Sequence, residues 1–116
     1  MAKVKVKKEL ERVYDIISSI LKNQPTGEIE IVFEKTENRR LLQIKGDKEY
    51  ILLSYEDNPT KLFVNGDIIS DNIKPIPKKG VISDIESFVY GSSKFEFVKH
   101  CKDDLGRTII VLRKTG

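Results

Sequence analysis

The chain has 116 residues, of which 39% are hydrophobic and 34% are charged, and its formal net charge is +3. A chain of this length can bury one hydrophobic core, and its composition excludes an intrinsically disordered protein. No segment approaches the roughly 18 consecutive apolar residues that span a bilayer, and residues 1–10 lack the apolar run of a signal peptide. The single cysteine, Cys101, cannot form an intramolecular disulfide. We therefore expect a cytoplasmic protein without a membrane partner.

Positive charge is concentrated at the N-terminus. The first eight residues contain no acid and four lysines: Lys3, Lys5, Lys7 and Lys8. Without these four charges, residues 9–116 carry a net charge of −1. Four lysines would oppose the macrodipole at the start of a helix. We therefore predict a basic arm over residues 1–8 and a single domain over residues 9–116.

Apolar residues recur at spacings of three and four between Lys8 and Asn23. This spacing predicts an amphipathic helix with one buried face. Pro25 and Gly27 follow, and proline both lacks the amide that a continuing helix needs and restricts the residue before it. The first helix is therefore expected to end near Asn23.

After Gly27 the apolar period changes from about 3.6 to 2, which is typical of strands. The predicted strands cover residues 28–34, 39–45, 49–55, 61–64 and 67–69. Asn65-Gly66 is a strong hairpin signal, because both central residues of the favoured turn need positive φ. The third strand is apolar on both faces, so we expect it in the middle of the sheet. The short connections favour an antiparallel meander of four to five strands.

Residues 71–80, DNIKPIPKKG, interrupt the strand pattern. Pro75 and Pro77 favour an extended chain, and Ile73 and Ile76 are available to pin it to the domain. The roughly 35 residues that follow are too few for a second core. The stretch is therefore predicted to be a crossover within one domain and not a linker.

The last third of the chain predicts a short helix and a hairpin. Ser83-Asp84-Ile85-Glu86 has the capping-box pattern, so the helix is expected to start at Ser83 and to end at Gly91. Apolar runs near Phe95 and over residues 108–113 predict a C-terminal β-hairpin. The predicted fold class is α+β, with the N-terminal amphipathic helix packed on an antiparallel β-sheet.

The sequence contains no catalytic motif and no metal or cofactor motif. His100 and Cys101 are adjacent in a predicted strand, where neighbouring side chains point to opposite faces, so they cannot act together as nucleophile and base. Acidic pairs such as Asp103-Asp104 fall in predicted turns, where aspartate bonds the local backbone. We therefore predict a non-enzymatic protein without metal or cofactor, with a magnesium-dependent nuclease as the enzymatic alternative.

Clustered basic residues and tyrosines favour a nucleic-acid-binding function. The predicted contacts are Lys3, Lys5, Lys7, Lys8, Arg39, Arg40, Lys74, Lys78 and Lys79, with Tyr50 and Tyr55 as stacking rings. Proteins that bind single strands combine positive charge with exposed aromatic rings. The second helix is too short and too acidic to read a major groove. We therefore expect a small module for single-stranded DNA or RNA.

The alternative is a protein-binding adaptor or inhibitor that acts through a strand edge, or as a homodimer. Residues Ile109 to Leu112 are continuously apolar. This strand is either covered on both faces within one chain or presents an apolar surface to a partner. The sequence leaves both kinds of partner open.

Overall fold

A computed structural model describes residues 12–116 of the chain. The basic arm predicted for residues 1–8, with Lys3, Lys5, Lys7 and Lys8, lies outside the described residues. The helices of the described part are α1 (Val13–Lys22) and α2 (Val81–Tyr90). The strands are β1 (Gly27–Lys35), β2 (Arg39–Lys45), β3 (Glu49–Tyr55), β4 (Thr60–Val64), β5 (Asp67–Ile73), β6 (Phe95–Lys102) and β7 (Thr108–Lys114).

All seven strands belong to one antiparallel sheet with the order β5-β4-β3-β2-β1-β7-β6. The first five strands form a meander, as their short connections predict. The last two form the C-terminal hairpin, and β7 pairs with β1 so that the sheet continues from the meander into the hairpin. The predicted α+β fold is therefore confirmed.

α1 begins later than the apolar periodicity predicts. Its first residue is Val13, and Arg12 before it is extended, with φ −76° and ψ 148°. Four side chains at spacings of four, three and one form its buried face: Val13, Ile17, Ile20 and Leu21. The helix ends with Asn23 as its C-cap, as expected from Pro25 two residues later.

α2 begins two residues before the predicted start. Its N-cap is Gly80, which has a left-handed backbone with φ 93°, and no side chain caps the helix. This conformation favours glycine, because a Cβ atom would be strained there. Ser83 therefore lies inside the first turn, and the predicted capping box is wrong. The end of the helix at Gly91 agrees with the prediction.

Both helices pack on the same face of the sheet. The core joins apolar residues of α1 and α2 to the strand residues that point towards them. Ile31, Leu42, Leu52 and Ile110 come from four different strands, and each is at most 1% exposed. The alternate residues of these strands point to the other side, which no described helix covers. We call these two sides the covered face and the open face.

The segment between β5 and α2, residues 74–80, crosses one end of the sheet. Three of its backbone carbonyls accept hydrogen bonds from strand side chains: Lys74 from Thr60 Oγ1 (2.7 Å), Ile76 from Arg40 Nε (2.7 Å) and Lys78 from Lys35 Nζ (3.0 Å). Ile73 and Ile76 are 2% and 1% exposed, so both are pinned in the core. This segment is held by the sheet along its length, in agreement with the prediction of a crossover.

Candidate interaction surfaces

Arg39 and Arg40, predicted to act as one basic cluster, lie on opposite faces because neighbouring strand residues alternate. Arg40 is 3% exposed on the covered face. Its Nε donates to the Ile76 carbonyl, and its Nη2 donates to the Glu56 carbonyl. Arg40 therefore holds the crossover and the β3–β4 turn in place and is not available as the predicted phosphate contact. Arg39 lies on the open face, with Nη2 2.8 Å from Glu34 Oε1.

Tyr50 and Tyr55 are also separated by the sheet. Tyr50 is half-buried against the core on the covered face. Tyr55 is 50% exposed and lies beside Arg39 on the open face. The two rings cannot stack on successive bases of one strand, so only Tyr55 remains from the predicted aromatic pair.

Three exposed lysines lie along the crossover and a fourth lies against it, and we call these four the crossover lysines. They are Lys35, Lys74, Lys78 and Lys79, and all four are exposed. Three of them were predicted, and Lys35 joins them because its Nζ donates to the Lys78 carbonyl, 43 positions away in the chain. None of the four forms an ion pair with a residue in the range 12–116.

A cavity of about 410 Å³ lies between α1, α2 and the crossover. Val13, Ile17 and Val81 contribute apolar walls, and Arg12 and Lys74 contribute positive charge. The carboxylate of Asp84 and the hydroxyl of Ser87 also line it. The volume lies within the range of small-molecule sites, but its cations are partly offset by Asp84. The cavity therefore extends the basic surface of the crossover without forming a strongly positive pocket.

The open face carries an apolar row that crosses all seven strands. Directly paired residues of neighbouring strands lie side by side on one face, and the register links one residue from each strand. From the β5 edge to the β6 edge, the row consists of Ile68, Phe63, Ile51, Gln43, Val32, Ile109 and Cys101. Leu41 and Leu53 flank the row on one side, and Val111 flanks it on the other. We call these ten residues the apolar patch.

Charged residues surround the apolar patch in balanced numbers. On β1–β4, β6 and β7, the open face carries five carboxylates (Glu28, Glu30, Glu34, Glu49 and Glu96) and five cations (Arg39, Lys45, Lys61, Lys99 and Arg113). Arg113 bridges Glu96 at 2.9 Å and Glu28 at 3.4 Å. The open face of these strands therefore has no net formal charge and generates no field that attracts a phosphate backbone.

β7 contains the continuously apolar run and lies second from the edge of the sheet, between β1 and β6. Ile110 and Leu112 are fully buried on the covered face. Ile109 and Val111 are half-buried on the open face. One side of this strand therefore stays uncovered within the described residues. The sequence predicts an apolar surface for a partner in this case.

Both edges of the sheet carry register irregularities. In β6 the pairing shifts between Phe97 and Lys99, so Val98 bulges. In β5 the pairing with β4 shifts on both sides of Leu62. Bulges interrupt the row of backbone donors and acceptors that an added strand would need. The edges are therefore poorer partner surfaces than the predicted strand-edge contact requires.

His100 and Cys101 lie on opposite faces of β6. His100 points to the covered face, where its Nδ1 is 3.5 Å from Glu86 Oε2 of α2. Cys101 is half-buried beside Ile109, at the end of the apolar row. The two side chains therefore cannot act on one reacting group. Among residues 12–116, no group of three or more His, Cys, Asp and Glu side chains could hold a metal ion.

Charge and catalytic motifs do not single out the residues of the apolar patch, such as Phe63 and Val32. The available signal was that residues 49–55 and 109–112 are apolar in both alternating sets. Strands that are apolar on both faces are normally buried on both faces. The two helices pack on one face of the sheet only, so the apolar residues of the other face stay accessible.

No protein family, curated protein or solved structure was found to match this chain. Within residues 12–116, no helix is long and apolar enough to cross a membrane. The candidate interaction sites of the described residues are the apolar patch and the crossover lysines.

Proposed function

We propose that the protein is a non-enzymatic protein-binding module whose binding surface is the open face of its sheet. The observation that carries this proposal is the apolar row, in which Gln43 is the one strongly polar side chain among seven. A sheet with one solvated face normally presents polar residues to water. Contiguous apolar surface in a folded protein marks interaction sites.

The hydrophobic effect supplies the affinity in this proposal. Ile51, Leu53, Phe63 and Ile109 are only half-buried, so each retains apolar surface that a partner can cover. At about 25 cal/mol per Å², a side chain that loses roughly 40 Å² of exposed apolar surface contributes about 1 kcal/mol. Several such side chains together can therefore offset the entropy lost on association.

The charge balance of the open face supports a protein partner over a nucleic acid. A nucleic-acid surface needs unpaired positive charge, because affinity depends on release of the counterions bound to phosphates. On the open face, Arg39 is paired with Glu34, and Arg113 is paired with two glutamates. An apolar centre with a mixed polar rim is the usual composition of a protein interface.

Photocrosslinking in cells of the source organism tests this proposal. A benzoylphenylalanine in place of Phe63 sits in the apolar patch, and the matched control replaces Tyr90, which is 77% exposed on α2. We expect protein adducts from position 63 and none from position 90. The absence of adducts from position 63, or equal yields from both positions, would contradict the proposal.

A second candidate function is weak binding of single-stranded nucleic acid along the crossover lysines. The observation that favours it is a line of exposed lysines along the crossover, from Lys74 at β4 to Lys78 at β1, where Lys35 donates to the Lys78 carbonyl. Four phosphate contacts on a single strand imply an affinity that falls about 50-fold between 50 and 200 mM salt.

Anisotropy of labelled single-stranded DNA and RNA at these two salt concentrations measures this second function. The double variant Lys78→Gln and Lys79→Gln removes two contacts, and Lys61→Gln with Lys99→Gln on the open face is the control with the same change in charge. We expect the first pair to weaken binding and to reduce its salt dependence, and the second pair to leave both unchanged. Binding that is undetectable at 50 mM salt rejects this function.

A further inference from the structure

We infer that the partner that covers the open face is a second copy of this chain, packed sheet to sheet. This inference rests on the proposed function, because it names the occupant of the same surface. Three features of the open face carry it: its size, its charge balance and the position of its single central amide.

The apolar patch with its rim is large enough for a stable dimer. Seven strands, each about 4.8 Å wide, and three rows of side chains, each about 6.7 Å deep, cover roughly 34 Å by 20 Å, or about 670 Å² per copy. Two copies together bury roughly 1,300 Å², which exceeds the approximately 1,000 Å² that a specific interface needs. Two such sheets stack about 10 Å apart with strands within about 30° of each other, so the patch becomes a second core.

The charges of the open face are compatible with a second copy of the same surface. A two-fold dimer places one surface against itself, so a surface with excess charge of one sign would repel its copy. On β1–β4, β6 and β7, the five carboxylates and five cations of the open face cancel formally. Two copies therefore meet without net repulsion, although the whole chain carries a net charge of +3.

Gln43 occupies the centre of the surface. It is the fourth of seven residues in the apolar row and lies on β2, the fourth of seven strands in the sheet. A two-fold axis through the centre of the patch brings each Gln43 close to its own copy. An amide is both a hydrogen-bond donor and an acceptor, so it can pair with an identical amide. In one chain, one N–H of Gln43 Nε2 donates to Glu49 Oε2, which leaves the second N–H and the carbonyl oxygen to donate to and accept from the copy.

The edges of the sheet favour stacking over strand addition. β5 and β6 are the two edge strands, and each has an irregular register. Pairing between edges would need a regular row of free backbone groups, whereas stacking uses side chains alone. The second copy is therefore placed on the face.

Light scattering coupled to size-exclusion chromatography of the full chain tests the inference from 5 to 500 μM. We expect a mass of twice 13.3 kDa at the upper concentrations. Gln43→Lys keeps an in-chain partner in Glu49 but opposes two cations at the axis, so it should weaken dimerisation at least tenfold. Leu105→Lys is the control, since Leu105 is 75% exposed in the β6–β7 turn and outside the patch. Equal thermal unfolding of the two variants at low concentration verifies that both are folded.

Two results would overturn the inference. One is a monomer of 13.3 kDa at 500 μM. The other is a dimer that Gln43→Lys leaves intact, because that dimer would use another surface.

The Cys101 thiol gives an independent readout of the same surface. It lies on the open face at the end of the apolar row, so a second copy covers it. We expect its reaction with a small thiol reagent to slow as the concentration of the wild type rises and to stay constant for Gln43→Lys. A labelling rate that does not depend on the concentration of the wild type contradicts the sheet-to-sheet dimer.

Crosslinking from position 63 separates this inference from the proposed function. An adduct of two chains supports both. An adduct with another protein, together with a monomer in solution, rejects the second copy but retains the open face as a binding surface. A monomer without adducts rejects both.

Discussion

The covered face and the open face are built from the same strands, yet their side chains differ in burial and in hydrogen-bond partners. Leu52 and Leu53 are neighbours in β3, but Leu52 is 0% exposed under the helices while Leu53 is half-buried on the open face. Arg40 and Lys114 on the covered face bond to backbone carbonyls, whereas Arg39 and Arg113 on the open face bond to exposed carboxylates. The side of the sheet, and not the residue type, therefore decides whether a strand residue is buried in the core or stays accessible at the surface.

The largest expected effect separates the two leucines of β3. Leu52→Ala leaves a cavity in the core and should lower the free energy of unfolding by about 3 kcal/mol. Leu53→Ala removes the same atoms from the open face and should cost about 1 kcal/mol or less in the monomer. Urea denaturation at low protein concentration measures both. Equal losses would show that the open face is covered within the chain.

The adjacent arginines of β2 give the next contrast. Arg40→Met leaves the Ile76 and Glu56 carbonyls without their donors, which should cost about 2–3 kcal/mol of unfolding free energy. Arg39→Met breaks a partly exposed ion pair with Glu34 and should cost less than about 1 kcal/mol. Denaturation of the two variants under identical conditions checks the difference. A similar cost for both would mean that Arg40 does not hold the crossover.

A smaller effect is expected at the C-terminal end of β7. Lys114 Nζ donates to the carbonyls of Lys22 (2.7 Å) and Gln24 (2.6 Å), where it caps the negative end of α1. Lys114→Met should therefore lower the free energy of unfolding by about 1–2 kcal/mol. Arg113→Met on the open face is the matched control, with an expected cost below about 1 kcal/mol. Amide hydrogen exchange in the last turn of α1 should accelerate only in the Lys114 variant.

The smallest effect concerns the β6–β7 turn and depends on pH. Burial raises the pKa of Asp103, but hydrogen bonds from the Arg107 amide and guanidinium and from the Leu105 amide outweigh it and hold that pKa below the ordinary value of 3.8. Because the folded-state pKa is lowered, the carboxylate stabilises the fold above about pH 4. This contribution is lost as the pH falls through the lowered pKa.

Thermal unfolding between pH 7 and pH 2 tests the role of Asp103. The difference in Tm between the wild type and Asp103→Asn should shrink as the pH falls below about 4. Asp104→Asn, at the exposed neighbour, is the control and should show a smaller difference at every pH. A Tm difference for Asp103→Asn that is independent of pH would contradict the assigned hydrogen bonds.

Much of the fold could be predicted because its signals are local. The alternation of apolar residues predicted the strands, and Asn65-Gly66 predicted the β4–β5 turn, where both residues have positive φ, 52° and 92°. The start of α2 was misplaced because the capping box at Ser83 is a local preference, whereas the burial of Ile76 and Val81 positions the chain before it. Tertiary packing outweighed the local signal there.

The candidate sites were harder to predict from the sequence. Alternation alone places Arg39 and Arg40, and likewise Tyr50 and Tyr55, on opposite faces, so this division could be predicted from the sequence. The burial of Arg40 against the Ile76 and Glu56 carbonyls could not. Lys35 joins the crossover lysines only because the crossover passes over the end of β1. Long-range contacts of this kind leave no periodic trace in a single sequence.

The sequence by itself determined which segments form helices and strands and which strand residues share a face, because both periods are properties of the local backbone. It could not determine which face the helices cover, since β3 and β7 are apolar on both sides. Only the tertiary structure decided that Leu52 and Ile110 meet the helices while Ile51 and Ile109 face outwards. It also decided that the Arg40 guanidinium donates hydrogen bonds to carbonyls 16 and 36 positions away in the chain and is therefore buried. The burial of a side chain and the pairing of its charge depend on contacts between distant segments, and these contacts exist only once the chain has folded.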